Sequence, residues 1–262
     1  MTREELRRRG EALAGEIFGG RDGATALANP ALGFGPLMAE LVYGSVWTRP
    51  GLEARDRMAC TLAALTALQA WPHLRRHAPA AVRLGLEPCA VLEVLIQTGI
   101  YRGFAAAETA VEAALEAFRA HGIAVPDLPE RTDPLEALTA RGRDVQAAVH
   151  GARKDLGHAS PANPVTSTIY PLVVQYCYGE IWDRPGLDRR LRALVAVAAF
   201  AALDHEPLLA KFALSALDVG ATRAEVTEAI VQIGPYAGFA FMLKGLNAVG
   251  ESFAANPEAT AR

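Results

Sequence analysis

Cysteine, aromatic side chains, long apolar runs and any surplus of one charge are all scarce in this chain, and each scarcity removes a class of explanation. The three cysteines, Cys60, Cys89 and Cys177, are odd in number, far apart and form no CxxC, which fits reduced thiols in a cytoplasm rather than a disulfide framework. The longest apolar stretch, Leu191 to Leu203, contains Arg192 and is closed by Asp204, His205 and Glu206. A membrane span needs about 20 apolar residues, so this stretch reads as a buried helix and no membrane partner is expected. With 26 basic against 29 acidic residues the formal charge is -3, too little positive charge for a phosphate-neutralising surface, so nucleic acid is not expected either. The segment Met1 to Gly20 mixes both signs of charge in helical periodicity and lacks the apolar core of an export signal.

What remains is aliphatic. Hydrophobic residues make up 51% of the 262 positions and aromatics only 7%, with alanine abundant, a composition suited to closely packed helices. No stretch alternates strictly with β-branched residues, so an all-α fold is expected.

The chain repeats itself. Tyr43-Gly44-Ser45-Val46-Trp47-Thr48-Arg49-Pro50-Gly51-Leu52 returns as Tyr178-Gly179-Glu180-Ile181-Trp182-Asp183-Arg184-Pro185-Gly186-Leu187, an offset of 135 that holds without a gap from Tyr43 to Phe118, with about 29 of 76 positions identical. Upstream, Arg9-Gly10 answers Arg141-Gly142 and Ala28-Asn29-Pro30 answers Ala162-Asn163-Pro164. The segment His121 to Pro134, with three prolines and alternating charges, reads as a linker. The organisation expected is a first repeat at 1–120, a linker at 121–134 and a second repeat at 135–262, the two packed on each other because such units seldom bury their apolar faces alone. Within the first repeat, helices are predicted after the Pro50-Gly51 break, over about Pro72 to Leu84 with Gly85 as C-cap, from Pro88 to about Ile100, and over about Ala105 to Phe118.

The ordered string YGxxWxRPGL, an alanine-rich helix, a helix ending in glycine, then ExxxQxxxYxGF resembles the carboxymuconolactone decarboxylase family, which includes alkylhydroperoxidase D. The resemblance covers about 76 residues twice. It implies small all-helical modules that pair, here as an intramolecular pseudo-dimer, and a homo-oligomer in which three chains form a pseudo-hexamer. The family's peroxidase branch places two thiols where this chain has Ala70 and His73, and His205 and Leu208 in the second copy, so disulfide chemistry is not implied. The decarboxylase branch uses neither metal nor organic cofactor and acts on a lactone acid. Its helical histidine falls on His77 and on Phe212, and its glutamate, 19 positions earlier, on Met58 and Ala193.

Candidate site residues follow. His73 and His77 lie four apart on one predicted helix face, and His77 is a candidate general acid. Glu93, Gln97 and Tyr101 form a polar stripe repeated as Glu228, Gln232 and Tyr236; a hydrogen-bond network is the favoured reading, with Glu93 or Tyr101 as proton carrier the alternative. Arg49 and Trp47 in the signature, Arg102 and His205 are candidate substrate-binding residues, Arg102 for a substrate anion and His205 as a second acid–base group; a turn fixed by Pro-Gly with Arg49 in an ion pair, and His205 at a helix end, are the structural alternatives. Because the first copy is polar where the second has Leu208 and Phe212, one working pocket is expected beside His77, with the second copy degenerate. The leading expectation is a cofactor-independent enzyme acting on a small carboxylated or oxygenated cyclic substrate, a carboxylate or lactone-like molecule, by decarboxylation or related enolate chemistry. A non-catalytic small-molecule binding or assembly protein, and a metal-dependent oxygenase-like enzyme using His73, His77 and a third ligand, are the competing readings.

Overall fold

The computed structural model describes residues 1–19, 27, 31, 33–127, 130–154 and 162–260. The first copy comprises α1 (Arg3–Phe18), α2 (Phe34–Met38, widening into a π-helix over Ala39–Val46), α3 (Ala54–Ala67), α4 (Trp71–Arg83), α5 (Pro88–Arg102) and α6 (Phe104–Ala120). The second repeats the series as α7 (Leu135–His150), α8 (Tyr170–Leu172, widening into a π-helix over Val173–Trp182), α9 (Arg189–Ala202), α10 (Glu206–Asp218), α11 (Arg223–Ala237) and α12 (Phe239–Ala255). Among the described residues there is no strand, and no helix is long and apolar enough to cross a membrane.

Local chemistry sets these boundaries. Reciprocal capping boxes, Thr2 with Glu5 and Thr222 with Glu225, satisfy the exposed amides that open α1 and α11. Pro72, Pro88 and Pro207 occupy first-turn positions, where a missing N–H costs nothing. The wide π-turns of α2 and α8, which carry the YGxxW signature, were not visible in the apolar periodicity. They pack where α1 and α7 cross them. Gly10 and Gly44 bring α1 and α2 so close that a Cβ on either would collide with a backbone carbonyl, of Ala39 and of Leu6 respectively; Gly142 and Gly179 do the same for α7 and α8.

The two copies meet through the alanine-rich helices. Every residue of α3 from Asp56 to Ala67 and of α9 from Leu191 to Ala202 is buried. These helices pack on each other, and against both α5 and α11. Small side chains let the backbones approach, so the stretch read as a buried helix, Leu191 to Leu203, is the centre of the molecule. Two arginines, Arg57 and Arg192, sit in this core and are answered from the opposite copy. Arg57 donates to Glu228 at 2.9 Å and to Gln232 at 3.3 Å, while Arg49 donates to Glu228 at 2.7 Å. The mirror set is Arg192 to Glu93 at 2.9 Å and to Gln97 at 3.0 Å, with Arg184 to Glu93 at 2.7 Å. The indole N–H of Trp47 donates to the Tyr236 hydroxyl at 2.9 Å, and that of Trp182 to Tyr101 at 3.2 Å. The repeated Glu-Gln-Tyr stripes are therefore clasps that lock the pseudo-dimer, each gripped by arginines and a tryptophan of the other copy.

Candidate functional site

Beside these clasps lie two cavities of about 230 and 220 Å³, one per copy, each walled by both halves. The first is lined by Tyr43 from α2, His73 and Arg76 from α4, and Pro235 and Tyr236 from α11 of the other copy. The second is lined at the equivalent places by Tyr178, Leu208, Lys211, Ile100 and Tyr101. Each thus combines an apolar wall, two phenols and a cation on the equivalent helix, Arg76 or Lys211, a pairing retained across the offset of 135; the second cavity adds Lys154.

In the first cavity His73 is exposed at the rim, and its Nδ1 accepts from the Arg76 guanidinium at 3.2 Å. That guanidinium stacks over Phe18 at 5.3 Å, and its Nε is buried with no hydrogen-bond partner. The Tyr43 hydroxyl makes no hydrogen bond to a described residue; burial pushes its pKa up to about 12, tempered by Arg76, so it stays a neutral proton donor. His77 is fully buried one layer behind this wall. Its Nδ1–H donates to the His73 carbonyl at 2.7 Å and its Nε2 has no partner. Burial, chiefly, drops its pKa to about 3, so the ring is uncharged at neutral pH.

The second cavity is not stripped of ionisable groups, which corrects the expectation drawn from Leu208 and Phe212. Its histidine has moved to another helix. Phe212 stands where the first copy has His77, but His150 of α7 stands where the first copy has Phe18, in the upstream register set by Arg9-Gly10 and Arg141-Gly142. The ring pair is preserved with its members exchanged: Phe18 meets His77 edge-on at 5.0 Å, and His150 meets Phe212 edge-on at 4.9 Å. His150 Nε2 lies 2.7 Å from the Tyr178 hydroxyl and its Nδ1 2.6 Å from Ser215 Oγ. Ser215 donates its own proton to the Lys211 carbonyl at 3.0 Å, so it accepts from Nδ1–H, and Nε2 is left to accept from Tyr178. Burial first, then Lys211 and Arg153, lower the His150 pKa to about 3, while burial raises that of Tyr178. Lys154 and Gln146 complete the polar side of this cavity.

The remaining candidates are placed elsewhere. Glu93 is wholly buried between Arg184 and Arg192. Tyr101 belongs to the clasp and to the wall of the second cavity, not the first. Arg49 and Trp47 are held in the clasp, Arg102 donates to the Ala67 carbonyl at 2.9 Å, and His205 caps α10 by accepting from the Leu208 amide at 3.4 Å. None of these four lines either cavity. Among the described residues no three His, Cys, Asp or Glu side chains are grouped to hold a metal ion, so His73 and His77 have no third ligand there.

With this geometry in place, the likenesses to known proteins fall on the two cavity-bearing halves. The model of the carboxymuconolactone decarboxylase family matches residues 33–116 and again 168–251. The chain is 30% identical over 98 residues to the 4-carboxymuconolactone decarboxylase of Acinetobacter baylyi, covering 37% of this chain and 73% of that protein. It is 29% identical over 109 residues to the nitrosuccinic acid decarboxylase of Metarhizium robertsii, covering 39% of this chain and 76% of that protein. Phe18 and His150 both lie outside the matched segments.

Proposed function

The chain belongs to the carboxymuconolactone decarboxylase family, and from that premise we propose that it is a decarboxylase-like enzyme for a small carboxylated cyclic substrate bound in the first copy's cavity. The observation that carries this reading is the Arg76 guanidinium, whose Nε is buried without a hydrogen-bond partner, set beside the Tyr43 phenol in a largely apolar chamber. A cavity of about 230 Å³ is smaller than the roughly 300–1,000 Å³ typical of drug-sized ligands and suits a metabolite of modest size.

The chemistry follows from where charge appears. The leaving carboxylate lies against Val42, Leu65 and Pro235, where little solvates it, and the guanidinium of Arg76 faces the carbonyl oxygen that becomes the enolate. The bond to CO2 breaks with its electron pair delocalised toward that oxygen. The Tyr43 hydroxyl then delivers its proton to the carbon, and water reprotonates the phenolate. His77 acts at one remove, fixing the backbone of His73 through its Nδ1–H.

The test is CO2 release from a panel of β-keto and vinylogous acids. At least one acid is expected to turn over, with Tyr43→Phe lowering kcat by about 10²–10⁴-fold. Silence across the panel would instead favour a small-molecule binding or assembly protein.

Three chains are proposed to assemble around a common axis. Supporting this, Phe34, Leu37 and Leu41 on α2 and their counterparts Ile169, just before α8, and Leu172 and Tyr176 on it are large apolar residues left exposed at equivalent places. Sedimentation of a trimer supports the arrangement, and a monomer at micromolar concentration contradicts it.

A further inference from the structure

The second cavity is backed by a chain of hydrogen bonds that, among the described residues, the first lacks. From the cavity inward run the Tyr178 hydroxyl, His150 Nε2 at 2.7 Å, the imidazole, and Ser215 Oγ at 2.6 Å, which is in turn anchored on the Lys211 carbonyl. His150 and Ser215 are fully withdrawn from solvent, so the Tyr178 hydroxyl is the chain's outlet to the cavity. Orientation is fixed rather than adaptable, because Ser215 has already committed its proton and His150 can only receive at Nε2. The imidazole therefore offers the phenol only an acceptor nitrogen, which takes up the phenol's proton only while the Tyr178 oxygen receives another. At the same mouth, Lys211 and Lys154 bring positive charge to an otherwise largely apolar chamber of about 220 Å³.

We propose that this cavity is a second acid–base site, acting on a small oxo acid that carries a C–H bond next to a carbonyl, with Tyr178 as the group that exchanges a proton with the substrate carbon. Lys211 and Lys154 hold the ligand's anionic oxygens. As the Tyr178 oxygen takes the proton from carbon, its own proton passes to His150 Nε2, and the C–H electron pair moves onto the carbonyl oxygen as an enolate. While the enolate is held, the Tyr178 hydroxyl swaps its proton with water in the cavity, so return of a proton to the same carbon gives exchange with solvent, return to a neighbouring carbon gives isomerisation, and no further reactant is consumed. His150 is a positioning and proton-accepting residue and does not touch the ligand. The inference shares with the preceding reading only the choice of an oxo acid as ligand.

The probe is pyruvate in D2O, with exchange of its methyl protons followed by NMR in the presence of the full chain. Arg76→Ala, which disables the first cavity's cation, is expected to leave a residual enzymatic rate. Adding Tyr178→Phe or Lys211→Ala to that variant is expected to lower the residue at least tenfold. His150→Asn, which retains a polar partner for Tyr178 but takes no proton near neutral pH, is expected to be as slow as His150→Phe; recovery with Asn would make the histidine merely structural and overturn its role. Residual exchange unchanged by Tyr178→Phe, or no exchange above buffer with any variant, overturns the proposal. Failure here leaves CO2 release at the first cavity untouched, so the two readings fall separately.

Discussion

The guanidinium of Arg57 crosses the seam to the carboxylate of Glu228 at 2.9 Å, with the two side chains only 1% and 7% exposed, and Arg192 repeats the contact on Glu93 in the opposite sense. Such pairs contribute less by attraction than they cost when broken, because the abandoned partner is left charged in the core. Arg57→Ala and Arg192→Ala are each expected to lower stability by about 3–5 kcal/mol. Urea unfolding with an unchanged slope reads this as a shift in midpoint. A loss below about 1 kcal/mol would show that the clasps do not hold the halves together.

The crossing of α1 over α2 gives a second expectation. A methyl group at Gly44 would meet the Leu6 carbonyl, and one at Gly179 the Leu138 carbonyl, so the helices must separate to accept it. Gly44→Ala and Gly179→Ala should each cost at least the roughly 1–3 kcal/mol of an overpacked core. Because α2 carries Tyr43 and α8 carries Tyr178, either change should also disturb its own cavity. Unaltered melting temperatures for both variants would place the crossings farther apart.

Acid should weaken the fold through its buried imidazoles. His77 and His150 are held near pKa 3 when folded against an ordinary 6.5, so below pH 6.5 the unfolded chain binds protons that the folded chain refuses. Stability is therefore expected to fall as pH drops through 6 toward 3, by about 1.4 kcal/mol per pH unit for each imidazole. His77→Phe, which copies Phe212, should remove one imidazole's share of that slope. Parallel slopes for wild type and variant between pH 6 and pH 4.5 would mean that His77 is not kept neutral by burial.

Much of this molecule was legible in its sequence, and the parts that were not share a cause. An ungapped offset of 135 revealed two copies, and helix punctuation by Pro88 and Gly85 located α4 and α5 to within a few residues. The Glu93-Gln97-Tyr101 stripe was readable as a network because both copies keep it; its partners, Arg57 and Arg192, were not singled out, since an arginine in an alanine-rich helix does not announce what it will face across an interface. The exchange of His77 and Phe18 for Phe212 and His150 was hidden for a related reason. It is conserved as a ring pair in space, while along the chain each histidine sits at a different place in its repeat, so comparing positions one by one reported a loss.

The reading of the first cavity stands or falls with Arg76. For any acid from which the chain releases CO2, Arg76→Ala is expected to lower kcat by about 10²–10³-fold, as loss of a donor to a developing oxyanion does, with the melting temperature preserved because the side chain sits at a half-exposed cavity wall. A variant that decarboxylates within twofold of the wild-type rate would contradict the assignment of this cavity as the site of the reaction.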